Sequence, residues 1–203
     1  MSDTNNVTDA SNQNNTIIET PHLLLRPWQE SDAAALYKYA SNPKIAHDAG
    51  WRVHSDEQYS KTVIRMMLLR PTAFAITLKE GENISAFDAE PIGSISLYTG
   101  ESISRGRAAN EGDLGYWLGA PFQNRGYMTE AVREMIRFSF EKYNLSGLWC
   151  SHYAGNAASK AVILKAGFRF HHVSEDSYNP MLEKSFTEIF YYVSKPQRQN
   201  MHK

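Results

Sequence analysis

The chain has 203 residues, 42% of them hydrophobic, and a formal net charge of −1 at pH 7. That length suits one domain with a real core, and the near-neutral balance argues against bulk nucleic-acid binding or a polybasic membrane surface. Cys150 is the single cysteine, which excludes an internal disulfide. With no run of about 18 apolar residues and no secretory leader pattern, a cytoplasmic protein that does not engage membranes is expected.

Residues 1–16 are mostly Asn, Ser, Thr, Asp and Gln, so a disordered tail is expected there, followed by one domain over 17–196 and a short tail at 197–203. Leu23 to Arg26 reads as the first strand, stopped by Pro27. Ser31 and Asp32 open a helix through Ala40, with Leu36 and Tyr39 on its apolar stripe, and Asn42-Pro43 breaks it. Residues 44–54 read as a loop holding Ala49-Gly50-Trp51 and His54. Ser55 caps a second helix that ends before Pro71.

Strands follow at 72–78 and 91–98, joined by a charged hairpin turn at 80–90. Polar residues 99–112 form an exposed connection, and Asp113 to Leu118 is the next strand. The main helix covers 124–142, with Met128, Ala131, Val132, Met135, Ile136 and Phe140 at the helical period. A strand at 148–153, a helix at 156–166 closed by Gly167, and strands at 168–173 and 186–193 complete the chain. The order β-α-α-β-β-β-α-β-α-β-β predicts an α/β fold: a mixed, mostly antiparallel sheet with helices on both faces.

The segment richest in chemistry is Leu114-Gly115-Tyr116-Trp117-Leu118-Gly119-Ala120-Pro121-Phe122-Gln123-Asn124-Arg125-Gly126-Tyr127-Met128-Thr129-Glu130. A strand runs into a glycine-marked turn and then into a helix. Such a helix start offers unpaired N–H groups and the positive end of its dipole, a ready phosphate site. Gly126 lets the backbone bend, Arg125 puts a cation where an anion would arrive, and Thr129 adds a hydroxyl. Neither GxGxxG nor GxxxxGK[ST] is present, so Rossmann and P-loop chemistry are unsupported.

Gln123-Asn124-Arg125-Gly126-Tyr127-Met128 instead resembles the pyrophosphate-binding motif of the GNAT superfamily of N-acetyltransferases, with Met128 standing where a small residue is usual. Gly115-Tyr116-Trp117-Leu118 before the turn, Thr129-Glu130-Ala131 after it, Asn156-x-x-Ser159 and Lys165-Ala166-Gly167-Phe168 resemble the RimJ/RimL-type branch. So do Leu24-x-Arg26 and the Ala49-Gly50-Trp51 loop. The resemblance spans roughly residues 20–195 and implies the GNAT acyl-CoA N-acyltransferase fold.

It further implies acetyl-CoA as co-substrate. The amides of Asn124 to Thr129, in the turn opened by Gln123, would take its pyrophosphate. Trp117 and Leu118 would pair with its pantetheine arm, and Asn156 and Ser159 would lie beside that arm and the thiol. A Leu118 amide would polarise the thioester carbonyl. Direct attack by an amine needs a proton acceptor, for which Asp113 is preferred and Glu111 is the alternative on the same strand face. Ser159 is the first candidate to serve the leaving thiolate and Tyr153 the second. The loop at 44–54 and the segment 174–184 would wall the acceptor site, which makes Trp51, His54 and Tyr178 candidate substrate contacts.

Asn156 is also a favoured helix cap. Cys150 reads as a core residue, since nothing near it in sequence activates a thiol. The seven histidines show no zinc spacing, so no metal is expected. The expected activity is acetyl transfer to a primary amine, either a protein N-terminus or a small molecule, by a monomer or homodimer. The alternative is a non-catalytic acyl-CoA-binding or sensing module on the same fold.

Overall fold

A computed structural model of the chain describes residues 16–79, 87–100 and 107–196. The expected tails at 1–16 (Thr16 excepted) and 197–203 lie outside the described residues, as do 80–86 and 101–106 of the two connections.

Eight strands form one sheet in the order β1-β2-β3-β4-β5-β6-β8-β7. They are β1 (Ile18–Glu19), β2 (Leu23–Pro27), β3 (Ala73–Leu78), β4 (Gly93–Thr99), β5 (Glu111–Leu118), β6 (Gly147–Tyr153), β7 (Arg169–Asn179) and β8 (Lys184–Ser194). Every neighbouring pair is antiparallel except β5–β6, which is parallel. The helices are α1 (Ala33–Ala40), α2 (Pro43–Ala49), α3 (Glu57–Val63), α4 (Tyr127–Lys142) and α5 (Ala157–Ala166). Helix α4 is the crossover that the one parallel pair requires.

Strand β3 is apolar and buried almost throughout, as a strand covered on both faces must be. Two cores flank the sheet. On one face α4 and α5 bury Met128, Val132, Met135 and Ile163 against Leu97, Leu114, Leu148 and Cys150. On the other, α1 to α3 bury Leu36, Tyr39, Ile45 and Ile64 against Trp28, Ala75 and Trp117. Arg26 and Asp32 form a buried pair at 2.8 Å that ties β2 to the entry of α1. Asp32 also accepts from Gln29 N–H, so the paired charges are hydrogen-bonded.

Several elements differ from the sequence expectation. Residues 43–49 are helical, not loop: Asn42 Oδ1 accepts from the N–H groups of Lys44 and Ile45, and Pro43 sits where its missing N–H costs nothing. Gly50, at φ 79°, closes that helix. Asp56, not Ser55, caps α3 by accepting from Tyr59 N–H, and the helix runs into a π-helical turn at Ile64–Leu68. Strands β7 and β8 form a hairpin much longer than expected, and β1 is an added edge.

Candidate functional site

Strands β5 and β6 pair only from Glu111–Gly147 to Leu114–Cys150, although they continue to Leu118 and Tyr153. Beyond Leu114 they part, leaving a wedge in the sheet. Leu97 N–H donates to Thr72 C=O on the β3 side, which sets the alternation of β4. Through the β4–β5 register, Asp113, Gly115 and Trp117 then turn their main chains to β4, and Tyr116 and Leu118 turn theirs to the wedge. Leu118 C=O accepts from Gln123 Nε2 at 2.9 Å.

A cavity of about 620 Å³ fills the wedge. On the α4–α5 side it is lined by Gln123, Asn124, Gly126, Tyr127, Met128, Thr129, Asn156 and Ser159. On the α2 side it is lined by Lys44, Ile45, Asp48, Tyr98, Asp113, Asn179 and Glu188, with Trp117 and Leu118 between. The cavity therefore passes through the sheet and is reached from both faces.

The turn before α4 leaves the helix start open. Asn124 and Gly126 both have positive φ, 62° and 87°. Gly126 is the N-cap and offers no side-chain acceptor, so the amides of Tyr127, Met128 and Thr129 begin the helix without a side-chain cap. The Met128 side chain is buried in the core. Arg125 is exposed and is not among the lining residues.

At the narrow end of the wedge, Tyr116 OH lies 2.9 Å from Ser159 Oγ and also donates to Ser159 C=O at 3.3 Å. Ser159 is held there because its N–H donates to Asn156 Oδ1, the cap of α5. Burial, reinforced by neighbouring Cys150, pushes the Tyr116 phenol well above its usual range, so it stays protonated. Burial and then Asp113 push the Cys150 thiol up as well, which leaves it an inert core residue.

On the opposite face Asp113 lies 3.5 Å from Arg107 Nε. Glu188, buried on β8, accepts from Ser151 Oγ at 2.5 Å. Glu111 does not line the cavity: it accepts from Trp149 Nε1 and Tyr192 OH. Burial opposes its ionisation, but these bonds and the Ala108 N–H outweigh burial and hold the carboxyl below its usual range. Tyr153 lines the cavity, and its hydroxyl accepts from Asn179 Nδ2 at 2.7 Å.

The candidate substrate contacts fall elsewhere. Trp51 packs edge-on against Trp117, and His54 is buried with Nδ1 at 2.8 Å from Ser60 Oγ; neither lines the cavity. Tyr178 lines a second, smaller cavity beside Asn179. Sequence reading did not single out Tyr116, Glu188, Arg107 or the α2 pair Lys44 and Asp48. Glu188 and Arg107 carry no motif; Arg107 precedes β5, and only the sheet register brings Glu188 to the face that carries Asp113. Tyr116 lay inside a noted segment and was legible there.

The chain and its fold are similar to known proteins. Residues 22–169 match the family described as Acetyltransferase (GNAT) domain, and the chain belongs to that family. It is 30% identical over 82 residues to the "Putative ribosomal N-acetyltransferase YdaF" of Bacillus subtilis (strain 168), covering 40% of this chain and 42% of that protein. It is 26% identical over 151 residues to the "Probable N-acetyltransferase YjcK" of the same organism, covering 72% of this chain and 80% of that protein. Among solved structures, a GNAT-family acetyltransferase from Bacillus anthracis superposes with a TM-score of 0.73 at 17% identity, covering 88% of this chain and 98% of that one. A ribosomal-protein-S5-alanine acetyltransferase from Vibrio fischeri gives 0.65 at 20% identity, covering 91% and 99%. The protein is an acetyltransferase with the GNAT fold, similar to the RimJ/RimL-type members.

Proposed function

We propose that the enzyme binds acetyl-CoA in the wedge from the α4–α5 face and passes its acetyl group directly to a primary amine that enters from the α2 face. The observation that carries this reading is the cavity itself. It joins an uncapped helix start on one side of the sheet to a cluster of carboxylates on the other, through the one place where neighbouring strands part.

The residues present fit the co-substrate. The amides at the start of α4 answer a pyrophosphate. The main-chain groups of Tyr116 and Leu118 that β6 leaves without a strand partner answer the amides of an extended arm, as an added strand would. Acetyl-CoA supplies an activated acetyl thioester when bound.

The chain's own groups then divide the work. Leu118 N–H, on the wedge side of β5, is placed to donate where negative charge develops. Asp113 attracts the acceptor as an ammonium and takes its proton, with Glu188 adding a second negative charge on the same side. Ser159 Oγ, held beside Tyr116 OH, turns its proton toward the departing sulfur.

Steady-state thiol release with acetyl-CoA and a panel of amines tests the reading. Amine-dependent release of CoA, without accumulation of an acetylated protein, is expected. Acetylated protein that forms in the absence of amine would overturn direct transfer.

A further inference from the structure

We infer that Arg107 is a docking site for a carboxylate of the acceptor, and that the acceptor is a free α-amino acid rather than a protein N-terminus. This rests on the reading of the wedge as the site of acetyl transfer.

Arg107 precedes β5 and lies over the α2-side face of the sheet. Its guanidinium carbon is 3.8 Å from the Trp149 ring centroid and 5.2 Å from that of Phe190. The side chain is only 7% exposed. Nε and Nη2 are both buried, and neither finds a hydrogen-bond acceptor among the described residues. The Asp113 oxygen at 3.5 Å from Nε supplies charge but is too far for a hydrogen bond. A buried guanidinium with unmet donors is costly to keep unless something else accepts from it.

The side chain lines the second cavity, of about 380 Å³, with His172, Ser177, Tyr178 and Asn179. Arg107 is the one permanently charged side chain among the described residues lining it. His172 is stacked on Phe190, and burial, then His171 and Arg107, lower its pKa, so it is neutral near pH 7. Ser177, Tyr178 and Asn179 are polar and uncharged. Their cavity thus pairs one planar cation with neutral hydrogen-bonding groups, the chemistry of a carboxylate site.

Position sets the class of ligand. Asn179 lines both cavities, and Asp113, which lines the first, is the ion-pair neighbour of Arg107, which lines the second. A negative and a positive side chain side by side complement a molecule with an ammonium and a carboxylate side by side. The ammonium meets Asp113 and Glu188, and the carboxylate meets Arg107. The surrounding negative charge of Glu111, Asp113 and Glu188 disfavours an anion alone, so the ammonium and the carboxylate must arrive together. A peptide N-terminus carries a neutral amide where the free amino acid has its carboxylate.

The test is thiol release with the twenty L-amino acids and their carboxamides, on wild type, Arg107→Gln and Arg107→Lys. Acetyl-CoA thermal shifts on each protein serve as the check of folding and of the cofactor site. The proposal expects kcat/KM for the best acid to exceed that of its amide by about ten- to a hundredfold, as for loss of a charged hydrogen bond. In Arg107→Gln that ratio falls toward one, and in Arg107→Lys part of it is kept. Amides used as well as acids, or no acid used at all, by wild type that still responds to acetyl-CoA would overturn the carboxylate site and leave the acetyl-transfer reading standing. Loss of the acetyl-CoA response in wild type would overturn both. Should Arg107→Gln not fold, the wild-type ratio and Arg107→Lys still decide.

Discussion

Tyr116 OH and Ser159 Oγ meet at 2.9 Å where β5 leaves β6, joining a strand to the first turn of α5. The contact holds the Ser159 hydroxyl at the edge of the wedge, beside a phenol that stays protonated. Ser159→Ala is expected to lower kcat by about a hundredfold, the usual lower range for a lost proton donor. Its affinity for CoA should stay near wild type. Tyr116→Phe should give a smaller loss in the same direction. Stopped-flow thiol release beside CoA titration separates the two quantities; equal losses in both would point to a merely structural contact.

Asn156 offers a control on that interpretation. Its Oδ1 caps α5 by accepting from Ser159 N–H at 3.0 Å. Asn156→Ala should reduce stability by about 1 kcal/mol, as for other lost caps. Ser159→Ala keeps that cap and should cost no more than a hydrogen bond, again about 1 kcal/mol or less. Urea unfolding of both variants gives the comparison.

Gly126 is fixed by backbone conformation. Its φ is 87°, and an added Cβ would meet nothing within 4 Å, so crowding is not the reason for glycine here. Gly126→Ala should lose about 1 kcal/mol from the left-handed conformation alone. Gly126→Val should in addition weaken CoA binding, because the helix start would be displaced. Calorimetric titration with CoA measures the second effect, and unchanged affinity would remove the pyrophosphate from this turn.

His54 gives a stability prediction with a definite sign. Burial lowers its pKa below the ordinary 6.5. The unfolded chain therefore takes up a proton below about pH 6.5 that the folded chain resists. Stability should fall as the pH drops from 6.5 toward the folded value, and be insensitive to this group above about pH 6.5. His54→Gln should flatten that part of the profile. A set of denaturant unfolding curves between pH 5 and 8 checks it; a slope that persists in the variant assigns it to another group, of which His172 is the next.

Much of the fold could be read from the chain because the apolar periods are strong. The stripe Met128, Ala131, Val132, Met135 of α4 is buried along its length. Helix α2 was hidden by Asn42-Pro43. Read as a break, that dipeptide is a cap followed by an N1 proline, and the helix it opens has only seven residues. The outer parts of β7 and β8 were hidden because 174–177 and 184–185 are polar, so no alternation marks the strands there. The turn before α4 was legible because its signal is local: a strand, a glycine and a helix start within a dozen residues. The grouping of carboxylates on the α2 side of the wedge was not. Asp113 and Glu188 stand far apart in sequence, and only the β5–β6–β8 register brings them to one face.

The claim on which the rest depends is that the wedge takes acetyl-CoA. A thermal-shift titration with acetyl-CoA, CoA and ATP in parallel addresses it most directly, because a ligand of the folded state raises stability by mass action. A dose-dependent rise with both CoA species and none with ATP is predicted. No rise with either CoA species at millimolar concentration, or an equal rise with ATP, would contradict it.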